Sequence, residues 1–168
     1  SQIDPLDSLA DVRRMAIGLR MQATPLQMAR VAAAVGSGRV VTPRLIAQLA
    51  GQRSVVRTEL LNVRLDRVRA GMYDVVKHGT AAGVFKTPAL KRFVPGIAGK
   101  TGTAPHADGI HNNAWFIGWI EPGTLPGQTR RLAFAVMVSH TFERETGGSR
   151  AAAVVADMLL RHLDESSR

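Results

Sequence analysis

The chain has 168 residues, 45% hydrophobic and 21% charged, enough to bury a core as one domain. It contains no cysteine, which excludes a disulfide framework and a cysteine-based zinc site, and no run near the roughly 18 apolar residues of a membrane span. The net charge of +9 does not mark a nucleic-acid protein: four basic residues are lysines (Lys77, Lys86, Lys91, Lys100), the rest are scattered arginines, and the densest group, Arg64, Arg67 and Arg69, reads as a solvated helix face.

The N-terminus, Ser1-Gln2-Ile3-Asp4-Pro5, has no initiator Met and no signal-peptide pattern, and reads as a cut boundary. Leu6 to Leu19 is a helix candidate, with Leu9, Val12, Met15 and Ala16 at helical spacing and Asp7 or Ser8 as cap. Thr24-Pro25-Leu26-Gln27 is a stronger start signal, a capping box with proline at the first helical position. It opens a helix whose small apolar residues, from Leu26 to Val35, suit close burial on nearly all sides, with Gly36 and Gly38 as its stop. The stretch from Val40 to Ala50 has no clear period.

A further helix is predicted over Val63 to Lys77, with Leu65, Val68, Met72, Val75 and Val76 on one stripe and Gly79 at its end. Thr80 to Pro95 reads as a Gly/Pro-rich loop with a short turn at Pro88 to Lys91. Three strands follow: Ile97 to Ala104, Ala114 to Ile120 and Leu132 to Val138. The second and third are apolar on both faces, which predicts burial on both and a central place for the third. The loops between them are short enough for antiparallel hairpins. Gly147-Gly148-Ser149 caps a last helix, Arg150 to Leu163. The predicted class is α+β, a three-stranded antiparallel meander covered by helices.

The chemistry-bearing segment is Gly99-Lys100-Thr101-Gly102-Thr103-Ala104. It puts an ammonium, two hydroxyls and a position without a side chain on one extended strand, a combination that can hold a carboxylate while a substrate backbone lies alongside. Gly-Lys-Thr also ends the phosphate loop G-x-x-x-x-G-K-[ST], but the first glycine of that loop would fall on Val94. Pro105, Asp108 and Gly109 also interrupt the helix that a phosphate loop requires. A bare Gly-rich hairpin without chemistry is the plain alternative.

Taken in order, the runs Ala16-Ile17-Gly18, Ala23-Thr24-Pro25-Leu26-Gln27-Met28-Ala29-Arg30, Met72 to Val76, Gly79-Thr80-Ala81, Ala98 to Ala104, Ala114-Trp115-Phe116-Ile117-Gly118 and Gly147-Gly148 resemble the C-terminal half of the transpeptidase domain of penicillin-binding proteins, most like class B. The chain departs from that pattern at Gly18-Leu19-Arg20, where Gly-Gln-Gly is typical, and at Gly36-Ser37-Gly38, where Asn-Gly-Gly is common. The family's other elements, Ser-x-x-Lys and Ser-x-Asn, do not occur in the chain. Residues 1–168 are therefore expected to be the C-terminal portion of one serine β-lactamase/transpeptidase-like domain, partnered by the remaining half.

The resemblance implies a D,D-transpeptidase that cross-links peptidoglycan stem peptides through an acyl-serine and is acylated by β-lactams, with no cofactor. By matching position, Lys100 supplies positive potential beside the Ser-x-Asn serine, and Thr101 and Thr103 bind the substrate carboxylate. The Thr103 N–H is one oxyanion donor, and Gly102 and Ala104 line the strand on which substrate lies. Strict alternation sets Lys100 and Thr103 on opposite faces, so both serve one groove only on a twisted edge strand. The implied setting is the periplasmic or extracytoplasmic envelope, in cell division or cell shape, with anchoring to the inner membrane by a segment outside this chain. The resemblance also implies cell-wall synthesis membrane proteins as partners. A non-catalytic binding remnant of the fold and a basic nucleic-acid module are the competing readings.

Trp115 and Trp119 read as core. His106, Asp108 and His111 share one hairpin loop, which reads as a substrate rim more readily than as a metal site, and His140, after the third strand, reads as structural or groove-facing.

Overall fold

The computed structural model describes residues 2–3, 8–16, 21–43 and 58–166. Helix α1 (Leu9–Ala16) starts where the Ser8 hydroxyl accepts the Asp11 N–H, so Ser8 is its cap. The outer parts of the expected helix, residues 6–7 and 17–19, lie outside the described residues, as do Ile17-Gly18 of the family run, the Leu19-Arg20 departure and the unassigned stretch at 44–50. Strands β1 (Gln2–Ile3) and β2 (Met21–Gln22) pair antiparallel, and β3 (Arg39–Val41) and β4 (Thr58–Leu60) make a second two-stranded ribbon.

Helix α2 (Pro25–Ser37) has the capping box written in its sequence: the Thr24 hydroxyl accepts the Gln27 N–H, and the Gln27 side chain accepts the Thr24 N–H. Only Gly38, left-handed at φ 74°, ends it. Gly36 is not a stop. It lies inside the helix, where a Cβ would stand 2.9 Å from the Trp119 ring, so glycine lets α2 approach the sheet. Burial on nearly all sides does not occur: Ala32 and Gly36 are buried, while Leu26 and Val31 are exposed.

Helix α3 (Asp66–Lys77) is three residues shorter at its start than its apolar stripe suggests. Met72 and Val76 carry its buried side, Val68 is exposed, and Leu65 sits at the cap instead of within the stripe. The short turn at Pro88 to Lys91 is helix α4 (Pro88–Lys91).

The main sheet is β5 (Ile97–Pro105), β6 (Asn112–Ile120) and β7 (Leu132–Thr141), antiparallel in that order. Regular register pairs Lys100 with Ile117, Gly102 with Trp115 and Thr103 with Ala114. One face, with Ile97, Ala114 and Phe116, packs with Phe85, Leu90, Val155 and Leu159. The other, with Ala98 and Trp119, packs with Met72, Val35 and Tyr73. Strand β6 is central, with Phe116 and Trp119 fully buried. Strand β7, expected to be central in a whole domain and here to have its far side either paired or left open, pairs with β6 alone among the described residues, and Leu132 and Met137 are exposed, so that side is open.

The last helix begins earlier than Gly147-Gly148-Ser149 suggests. Thr146 is the cap, its hydroxyl accepting the Ser149 N–H while the Ser149 side chain closes the box on Thr146 N–H. A wide π-helical turn, Gly147–Ala151, leads into α5 (Ala152–Ser166). Among the described residues no helix is long and apolar enough to cross a membrane.

Candidate active site

The site is built on β5. Its first residues, Ile97 to Gly99, are buried, and from Lys100 to Pro105 it is half-buried or exposed, so the polar motif begins where the core ends. Among the described residues β5 pairs only with β6, which leaves its second edge without a strand.

Alternation puts Thr101 and Thr103 on the Phe116 face and Lys100, Gly102 and Ala104 on the Trp115 face. The Thr101 and Thr80 hydroxyls are 2.6 Å apart. The Thr103 hydroxyl accepts the Gly147 N–H at 3.2 Å. Lys100 folds along its own strand, its ammonium donating to the Thr101 carbonyl. The structure thus brings Thr101 and Thr103 together, against the Gly79-Thr80-Ala81 turn and the start of the last helix, and keeps Lys100 on the other face.

The glycines of the motif differ in kind. A Cβ on Gly99 would fall 2.3 Å from the Phe116 ring, so this glycine serves packing. A Cβ on Gly102 would sit 3.5 Å from Trp115 Cβ, an ordinary contact, so nothing in the fold requires glycine there. Gly147 and Gly148 are the pair that sequence reasoning did not place in the site. A Cβ on Gly147 would lie 2.2 Å from the Trp115 carbonyl oxygen and 2.5 Å from that of Gly102, and one on Gly148 would lie 2.1 Å from the Thr80 carbonyl oxygen. Two adjacent glycines before a helix were the available signal: they let the helix start touch the β5 and β6 backbones.

At the other end of β5, just past Ile120, the Glu121 carboxylate accepts from the Tyr73 hydroxyl at 2.6 Å, the Trp119 indole N–H at 2.8 Å and the Arg131 guanidinium at 2.7 Å. Arg131 also donates to the Gly36 carbonyl, tying α2, α3 and the sheet into one unit. Burial alone would raise the Glu121 pKa, but the hydrogen bonds from Tyr73, Arg131 and Trp119 outweigh it and hold the carboxyl below its ordinary value. Burial, followed by the Glu121 hydrogen bond, raises the Tyr73 pKa.

At the β5–β6 turn, Asp108 accepts the backbone N–H groups of Ile110 and His111 and lies 2.7 Å from His111 Nδ1. Hydrogen bonds from the His111 backbone and ring, and from Ile110, hold its carboxyl well below the usual range. His106 Nδ1 lies 3.2 Å from the same Asp108 oxygen that His111 reaches, and its ring stacks with that of His140, centroids 4.0 Å apart.

Residues 4–160 match the family model described as the penicillin binding protein transpeptidase domain. The chain belongs to this family. No curated protein matches the chain. Membership in the penicillin-binding transpeptidase family carries a peptidoglycan transpeptidase role, with peptidoglycan as substrate and β-lactams as ligands in general. Within this transpeptidase domain, β5, the Thr80 turn and the Gly147 helix start form one continuous wall.

Proposed function

We propose that residues 1–168 supply the substrate-holding wall of a serine D,D-transpeptidase, as the C-terminal portion of a domain whose Ser-x-x-Lys and Ser-x-Asn elements come from a segment outside this chain. The observation that carries this is the hydroxyl pair on β5. Thr103 Oγ1 accepts from Gly147, so its own hydrogen is free to donate. Thr80 and Thr101 share one hydrogen between them, which leaves the other for an outside acceptor. Two donors on one strand face suit the terminal carboxylate of a D-Ala-D-Ala stem peptide or the carboxylate of a β-lactam.

In this reading the serine oxygen attacks the penultimate D-Ala carbonyl and loses its proton to a base, and the peptide C–N bond breaks. Terminal D-Ala leaves as the protonated amine, and the amine of a second stem peptide then displaces the serine ester. Lys100, on the face opposite Thr103 and bonded to the Thr101 carbonyl, must swing over the open edge of β5 to add positive potential beside the Ser-x-Asn serine, while the Thr103 N–H is one oxyanion donor and Gly102 and Ala104 leave the strand open to the substrate backbone. No cofactor enters. Peptidoglycan lies outside the inner membrane, which sets the reaction at the extracytoplasmic face, within reach of cell-wall synthesis membrane proteins.

The absence of Ser-x-x-Lys from this chain favours one second reading, a non-catalytic binding form of the fold. Fluorescent penicillin separates the two. The 168-residue chain alone should carry no label after boiling in detergent, and a longer polypeptide with a Ser-x-x-Lys segment ahead of Ser1 should be labelled in a way that depends on Lys100 and Thr103. Labelling of the short chain, or labelling of the long one indifferent to both residues, refutes the assignment.

A further inference from the structure

The transpeptidase reading makes no use of the histidines at the far end of β5. His106 stands three residues beyond Thr103, on the turn that joins β5 to β6, and His140 stands near the end of β7. One ligand atom each from His106, Asp108 and His140 lie within 4.8 Å of one another. His140 is the one non-glycine residue with positive φ (55°) among the described residues, a conformation that costs roughly 1–3 kcal/mol and persists only where surrounding contacts impose it. Its ring stacks on His106 and lies 5.5 Å from that of His111.

We propose that His106, Asp108 and His140 bind a single Zn²⁺ ion that clasps the β5–β6 turn to the end of β7. Two imidazole nitrogens and one carboxylate oxygen are the borderline donor set that suits zinc, and calcium or magnesium would demand more oxygens. In a tetrahedral site with bonds of about 2.0–2.1 Å, neighbouring ligand atoms stand roughly 3.4 Å apart. His106 Nδ1 and Asp108 Oδ2 are already 3.2 Å apart, close to that edge length, and the long 3.3 Å bond that this nitrogen accepts from the Asp108 backbone N–H gives way to the metal. The remaining gap closes by movement of the exposed His140 ring, which exchanges its 2.9 Å contact with Ser139 Oγ for the metal.

His111 takes the outer position. Its Nδ1 lies 2.7 Å from the same Asp108 oxygen, and its backbone N–H, with that of Ile110, holds the second oxygen, so the carboxylate is oriented before metal arrives. A water completes the coordination. The site has no part in acyl transfer. Its effect is to fix the open end of the strand that carries Thr101 and Thr103.

Calorimetric titration of the untagged full chain with ZnCl₂, with metal content measured after dialysis, tests this. One zinc per chain at micromolar affinity or tighter is expected, together with a zinc-dependent rise in melting temperature and tetrahedral visible absorption on Co²⁺ substitution. His140→Ala and Asp108→Asn should each weaken binding more than about tenfold, and His111→Ala by roughly tenfold, as for an outer-sphere partner. Loss of His78, exposed and elsewhere on the surface, should change nothing. Far-UV circular dichroism checks that each variant folds, and Asp108→Asn and His106→Gln carry the test if His140→Ala does not. Absence of stoichiometric zinc binding, or binding unchanged in the folded ligand variants, overturns the proposal. The readout is metal binding, so it stands or falls apart from the transpeptidase assignment.

Discussion

The hydroxyl of Thr103 accepts the backbone N–H of Gly147 at 3.2 Å, joining residues 44 apart in sequence. This bond fixes the motif strand to the start of the last helix, and the missing side chain of Gly147 makes the approach possible. Gly147→Ala should therefore destabilise the chain by about 3 kcal/mol, the upper part of the overpacking range, since the atoms a Cβ meets are backbone and cannot turn away. Chemical denaturation measures it.

Gly102→Ala is the counterpart. Its Cβ meets only Trp115 at van der Waals distance, so stability should change by less than about 0.5 kcal/mol. In a polypeptide that also carries the nucleophile, β-lactam acylation should slow if substrate lies along β5. Unchanged acylation would remove the strand from the binding site.

In the same longer polypeptide, Lys100→Ala and Thr103→Val should each slow acylation, with losses on the order of 2.7–4 kcal/mol for Lys100. Thr103→Val should cost less, because its backbone N–H remains. It also strips the Gly147 N–H of its acceptor, so Thr103→Ser is the control that restores the hydroxyl. Stopped-flow acylation with a chromogenic cephalosporin provides the rates, and near-wild-type values in both variants would show that the roles are misassigned.

Glu121→Gln should cost roughly 1–2 kcal/mol at pH 7, since three donors then face a neutral amide. The Glu121 pKa is depressed in the fold, so its contribution is complete above the ordinary carboxylate value and is lost as pH falls through the lowered one. Tyr73 is raised, so its contribution is complete below the ordinary tyrosine value and fades as pH rises through the folded one. The gap between wild type and Glu121→Gln should close in acid, which urea melts across pH 3 to 7 would follow.

The +9 charge should give only weak DNA binding, lost by about 0.2 M salt, because the arginines are dispersed. A salt-resistant complex in a fluorescence titration would favour the nucleic-acid reading.

The edge of β7 that is open among the described residues should make the isolated chain self-associate, and Met137→Lys should reduce this by adding charge to an exposed edge strand. Size-exclusion chromatography decides: a compact monomer without the substitution would contradict it, and with it the half-domain reading.

What the sequence determined by itself is local. The Thr24 box, the Gly38 stop, the hairpins and the Lys100 to Thr103 strand follow from spacings of a few residues, whose hydrogen bonds and alternation need no distant partner. The order of those short runs was also enough to point to the family. Tertiary structure decided the rest. Gly36 and Gly38 look alike in sequence, yet one admits Trp119 and the other turns the chain. Gly147 gained its meaning from backbone it meets more than thirty residues away, and only pairing shows that the apolar β7 has one side open among the described residues. The same holds for Glu121 with Tyr73 and for His106 with His140: a spacing along the chain says nothing about two side chains until the sheet folds them together.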